Sequence, residues 1–122
     1  MIVRVLVADD QPPFRKAAHS VLAAAAGFQL VGEAASGEEA VVLVDSLRPD
    51  LVLMDINMPG IGGIEAARSI NAAHPETMTI LVSTYREADL PLQARVCGAA
   101  AYLHKSEFGG PALRALWEGR SC

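Results

Sequence analysis

The sequence predicts an α/β domain built on a doubly wound parallel sheet of five strands, in the order 2-1-3-4-5, with helices on both faces as a three-layer sandwich. Three observations lead there. Strand-like and helix-like segments alternate five times along the 122 residues, the pattern of βα units that build parallel sheets through right-handed crossovers. Two short apolar runs, Ile2-Val3-Arg4-Val5-Leu6-Val7-Ala8 and Leu51-Val52-Leu53-Met54, have the aliphatic character of strands covered on both faces. Both runs stop at acid, the first at Asp9-Asp10 and the second at Asp55. Open α/β sheets bind ligands just beyond the carboxyl ends of their strands. The order 2-1-3-4-5 makes the first and third strands neighbours, so the three carboxylates should converge on one crevice.

Each element has its own local reason. Strand 1 spans residues 2–8 and helix 1 spans 12–26. Pro12-Pro13 suits the first turn of that helix, where a missing amide hydrogen leaves no bond unmade. Phe14, Ala17, Ala18, Val21 and Leu22 share one face at the 3.6-residue period, and Gly27 suits the exit. Strand 2 covers 29–34. Helix 2 covers 37–47 and opens on a capping box of Ser36 with Glu39; Pro49 ends it. Strand 3 covers 50–54 and helix 3 covers 63–73, stopped by His74-Pro75. Strand 4 covers 78–83. Helix 4 covers 88–97 with Pro91 in its first turn, because proline deeper inside would break it. Asp89 or a near neighbour should cap that helix, leaving 83–89 as a longer, mobile loop. Strand 5 covers 100–103. Helix 5 covers 107–118, with Leu113, Leu116 and Trp117 packed on the sheet. No linker or low-complexity tract interrupts the chain, so residues 1–122 read as one domain.

Composition narrows the function classes. Apolar residues make up 52% of the chain, which excludes disorder. A net charge of −4 argues against direct nucleic-acid binding, which normally uses a basic stripe. No apolar run reaches the length of a membrane span, and the immediate first strand leaves no room for a signal peptide. Cys97 and Cys122 form no spacing motif, which suits free thiols in the cytoplasm. Cys97 reads as small helix filler and Cys122 as an exposed terminal thiol. His19, His74 and His104 lack ligand spacing and read as surface or helix-end residues.

Three carboxylates in one crevice repel each other unless a cation joins them, and oxygen-rich sites suit hard cations such as Mg²⁺. Two more polar residues belong to the same rim. Ser83 closes Thr79-Ile80-Leu81-Val82, and Lys105 follows the fifth strand. Singly, each has an ordinary explanation as a helix cap, a turn residue, a satisfied hydroxyl or a solvated charge. One crevice explains all five together.

With these residues in place, the chain resembles the receiver domain of two-component response regulators over nearly its whole length. The marks are the Asp9-Asp10 pair, Asp55 followed by Asn57-Met58-Pro59-Gly60, Ser83 at the end of strand 4, and Gly98-Ala99-Ala100-Ala101-Tyr102-Leu103-His104-Lys105. Ala8-Asp9-Asp10-Gln11-Pro12-Pro13-Phe14-Arg15 and Val31-Gly32-Glu33-Ala34 are most similar to NarL/LuxR-type receivers. The resemblance implies the flavodoxin-like (βα)5 fold. It implies that Asp55 accepts a phosphoryl group from a histidine kinase or phosphotransfer protein. Asp10, Asp55 and the Asn57 backbone carbonyl would ligate Mg²⁺, and Asp9 would do so through water. Ser83 and Lys105 would hold phosphoryl oxygens, and Lys105 could bridge to Asp55 without phosphate. Ser83 and Tyr102 would form the switch that remodels the face of helix 4, strand 5 and helix 5, a possible homodimer surface.

The chain departs from the family pattern in places. Gly62 stands where an acidic residue is usual, so Ile61-Gly62-Gly63 loses a loop carboxylate and gains flexibility. Ser106 replaces the proline that usually follows the lysine, so a trans bond is expected. Thr84 is larger than usual and should narrow access to the phosphate, and Tyr85 and Asn57 occupy positions that tune its lifetime. The Gly-rich segment Phe108-Gly109-Gly110-Pro111 favours a stand-alone receiver over a receiver fragment of a NarL/LuxR-type DNA-binding regulator. Two other classes compete weakly. A small aspartyl-phosphate phosphatase of the haloacid dehalogenase type would need an acid where Asn57 stands. A flavin-binding flavodoxin would need a phosphate-cradling loop where Asp9-Asp10-Gln11-Pro12-Pro13 stands.

Overall fold

Val3–Ala8 forms β1 and Leu51–Asp55 forms β3, and the two pair in parallel at the centre of the sheet, Val5 beside Leu51 through Ala8 beside Met54. The computed structural model describes residues 2–119, the Glu87 side chain excepted, so the expected exposure of Cys122 lies outside the described residues. Phe28–Ala34 (β2) flanks β1, Met78–Ser83 (β4) flanks β3, and Ala101–His104 (β5) closes the far edge. The order is β2-β1-β3-β4-β5, all parallel, as predicted. Every residue of β3 is buried, which explains why its sequence is aliphatic throughout and not alternating.

The sheet divides the core into two layers. Val5, Val7, Leu53, Ile80 and Val82 face Leu22 and Leu113 on one side. Leu6, Val52, Met54 and Leu81 face Val44, Ala66 and Ile70 on the other. The first layer is covered by α1 (Pro12–Ala24) and α5 (Gly110–Glu118), and the second chiefly by α2 (Gly37–Leu47) and α3 (Gly62–Ala73). The capping box of α2 is present: Ser36 Oγ accepts from Glu39 N at 3.1 Å, and Glu39 accepts from Ala35 N at 2.7 Å. Ala18 and Leu22 are buried, but Ala17 is exposed and falls off the packed face. Leu113 is buried, with Leu116 and Trp117 packed against the same layer.

Helix 4 differs most from expectation. Asp89 caps nothing; it closes a 3-10 turn, Glu87–Asp89, and pairs with Arg86 at 3.0 Å. Pro91 is the N-cap, with extended backbone at ψ 147°, and α4 runs only Leu92–Val96. Proline cannot donate to the carbonyl four residues back, so the predicted ten-residue span breaks there. Cys97 is buried as filler, just past the helix. The predicted helix 5 likewise starts as a separate 3-10 turn, Lys105–Glu107, before Gly109 caps α5. His74 ends α3 but is buried, 2.6 Å from Asp45, because α2 packs across it. No peptide bond among the described residues is cis. None of the described helices is long and apolar enough to cross a membrane.

Candidate functional site

The ends of β1 and β3 bring Asp9, Asp10 and Asp55 together as predicted, with one carboxylate oxygen of each lying within 4.8 Å of the others. Asp9 is fully buried. Its Oδ1 accepts from Gln11 N at 2.8 Å, which turns the chain from β1 into α1. Its Oδ2 is ion-paired with Lys105 Nζ at 2.7 Å. Asp10 is exposed at the mouth. Asp55 is 5% exposed, and its Oδ1 stands 3.6 Å from Lys105 Nζ. Lys105 bridges to Asp55 as expected, and it also reaches Asp9, at the shorter distance.

Crowding sets the chemistry. Burial disfavours the charged form of Asp55, and the neighbouring charges of Asp9 and then Asp10 disfavour it further. Lys105 opposes both effects, and the balance pushes the Asp55 carboxyl up to about 6. A small hard cation would relieve that repulsion, and the donor set, all of it oxygen, fits one.

The other half of the rim is neutral. Ser83 is buried at the end of β4, one residue beyond the Val82 that pairs with Asp55. Its Oγ accepts from Tyr85 N at 2.9 Å and lies 3.1 Å from the Tyr102 hydroxyl. Tyr102 donates its one hydroxyl proton to the Tyr85 carbonyl, so the proton between the two hydroxyls comes from Ser83. Ser83 is therefore engaged with Tyr85 and Tyr102 and not with the carboxylates. Asn57 is an exposed bend residue after Asp55, and Thr84 is exposed.

Four contributors escaped the sequence reading. Glu38 reaches from α2 and accepts from Ile61 N at 3.3 Å, so the loop that lost its own carboxylate gains one from another element. Gly63 is needed for close approach, since a Cβ there would lie 1.8 Å from the Asp55 carbonyl oxygen. Gln11 Oε1 accepts from Lys105 Nζ at 3.4 Å. His104 donates from Nε2 to the Thr84 carbonyl at 3.0 Å, and its Nδ1 accepts from Ser106 N at 3.1 Å. The imidazole thus ties the β4–α4 loop to the turn that carries Lys105, in the segment where the usual proline is missing. Ser36-Gly37-Glu38 was the only signal for Glu38; for His104 there was none.

Comparison with known proteins adds to this geometry. A family model described as the response regulator receiver domain matches residues 5–116. Response regulator GacA of Pseudomonas viridiflava is 42% identical over 104 residues, 85% of this chain and 49% of its own length. Response regulator UvrY of Escherichia coli (strain K12) is 38% identical over 122 residues, 98% of this chain and 56% of its own. The chain spans about half the length of these curated relatives. A two-component response regulator of the LuxR family from Aurantimonas sp. SI85-9A1 superposes with a TM-score of 0.88 at 29% identity, covering 99% of this chain and 86% of that one. The signal receiver domain described as NarL from Mycobacterium tuberculosis superposes with a TM-score of 0.84 at 33% identity, covering 97% of this chain and 98% of that one.

Proposed function

The chain belongs to the response regulator receiver domain family, and on that footing we propose that Asp55 accepts a phosphoryl group from a histidine kinase or phosphotransfer protein. An Asp55 carboxylate oxygen attacks phosphorus, the bond from phosphorus to the donor breaks, and its electron pair leaves with the donor. One observation carries this reading: Asp55 is a buried carboxylate at a strand end, with a lysine ammonium at 3.6 Å and two further carboxylates beside it. Asp10, Asp55 and the Asn57 carbonyl would hold Mg²⁺, with Asp9 through a water, and the bound ion would offset the negative charge gathering on the transferring group. Lys105 neutralises a phosphoryl oxygen as a compact point charge. The receiver family also displaces the phosphatase and flavodoxin readings.

Ser83 supplies the switch. An aspartyl phosphate brings roughly −1.5 to −2 charge and three strong acceptors. The Ser83 proton that now meets Tyr102 is redirected to a phosphoryl oxygen, and Tyr102 loses a partner. The phosphate thereby biases the face of α4, β5 and α5, which serves a partner or a second copy in the cytoplasm. The test is an intact mass after incubation with Mg²⁺ and a small-molecule phosphodonor. Gain of one phosphoryl group, absent in Asp55→Ala, is the expected result. A folded protein that gains none would overturn the reading.

A further inference from the structure

Lys105 is the pivot of the carboxylate cluster, yet the turn that carries it is short and lacks the proline usual in the family. Its ammonium is 2.7 Å from Asp9 and 3.6 Å from Asp55, with its side chain 14% exposed. A flexible four-carbon stem does not stay in one place by charge alone, because either carboxylate offers several equivalent positions. Gln11 Oε1 accepts from the ammonium at 3.4 Å, and the structure holds a fourth contact. Lys105 Nζ sits over the ring of Phe14, 4.8 Å from its centroid. Phe14 is in turn braced by Phe108, whose ring lies 5.3 Å away at 52°. That tilted spacing is a favourable aromatic arrangement. Phe14 comes from α1 and Phe108 from the segment before α5, so the pair joins the two elements that flank the lysine.

We infer that Phe14 is a positioning residue for phosphoryl acceptance: its ring face holds the Lys105 ammonium over the carboxylate pair, and Phe108 fixes the tilt of that ring. Phe14 has no polar side-chain atom to offer a metal or a phosphoryl group, and it acts only through Lys105. The negative face of an aromatic ring attracts a cation within about 6 Å, most strongly where water is excluded. Lys105 is mostly shielded, so the ring's charge distribution, beyond its bulk, governs where the ammonium rests. The functional part of the inference rests on the proposed phosphoacceptor role of Asp55.

The experiment replaces Phe14 with mono-, di- and trifluorophenylalanine, alongside Phe14→Leu, Phe14→Tyr and Phe108→Leu. Fluorine drains the ring face of negative charge with little change in shape. Phosphorylation by a small-molecule donor with Mg²⁺ is measured together with thermal melting and the NMR signals of the Lys105 side chain. The expected rate falls stepwise with each fluorine, reaching about 3- to 10-fold in Phe14→Leu, as befits a partly desolvated cation–ring contact. Phe14→Tyr restores the rate, and Phe108→Leu lowers the melting temperature more than the rate. The Lys105 signals lose their ring-current displacement only in Phe14→Leu. Equal rates across the fluorinated series, or Phe14→Tyr failing like Phe14→Leu, would overturn the inference and leave Phe14 as packing. If the wild-type protein takes up no phosphoryl group, the phosphoacceptor reading falls. The Lys105 signals then decide the positioning alone: displaced in wild type and Phe14→Tyr but not in Phe14→Leu, they uphold it, and undisplaced in wild type, they refute it.

Discussion

The two halves of the rim are built on different principles. On the β1–β3 side, charges stand at the ends of buried strands: Asp9 and the whole of β3 are buried, Asp10 is exposed at the mouth, and strand pairing brings the three together. On the β4–α4–β5 side, neutral groups are tied by side chains to loop carbonyls, Tyr102 to Tyr85 and His104 to Thr84. The helix beyond is five residues long and leaves Leu92 71% and Val96 68% exposed. Each neutral hydrogen bond contributes only about 0.5–1.5 kcal/mol. The first half thus resists rearrangement and suits chemistry that needs fixed geometry. The second half can exchange partners at small energetic cost, which is what a switch requires.

Core truncation should separate the halves most widely. Leu53→Ala, at a position 1% exposed on β3, is expected to lose about 2–5 kcal/mol in urea unfolding. An equal loss in Leu92→Ala would break the contrast.

The electrostatic strain of the carboxylate half gives the next effect. The folded Asp55 holds its proton up to about pH 6, against an ordinary value near 3.8. Above the ordinary value the unfolded chain has released that proton while the folded one retains it. Stability therefore falls as pH rises from about 4 to about 6 and then levels. In metal-free protein, Asp55→Asn should be more stable than wild type by about 2–3 kcal/mol at pH 7 and nearly equal near pH 4. A constant difference between the two pH values would show that burial and the neighbouring carboxylates do not raise the Asp55 carboxyl.

Tyr102→Phe probes the neutral half. It removes one hydroxyl that serves Tyr85 and Ser83, while Ser83 keeps the Tyr85 amide. A loss of about 1 kcal/mol is expected by chemical denaturation. Leu92→Ala should be smallest, within about 0.5 kcal/mol, because an exposed side chain forms little of the core. A larger loss would mean that the α4 surface is covered in solution.

The architecture and the acidic cluster were legible because both follow from short-range pattern. Aliphatic runs bound strands, acids mark their ends, and one strand order places those ends together. Helix 4 was read too long because periodicity cannot say how far a helix continues once proline has broken its first turn. His74 was read as a surface or helix-end residue and does end α3, but its burial was missed because it depends on α2 lying across that end.

By itself the chain determined the five βα units and the strand ends at which Asp9, Asp10, Asp55, Ser83 and Lys105 stand, since these depend on local propensity and period; the strand order followed from the arrangement common to five-strand doubly wound sheets. Only the tertiary structure decided that Lys105 leans on Asp9 and Phe14, that Ser83 is held by Tyr102, that Glu38 braces the β3–α3 loop and that His104 joins two loops. Those contacts link residues up to 96 positions apart, Asp9 with Lys105. Such partners are chosen by the packing of whole elements, which no local pattern encodes.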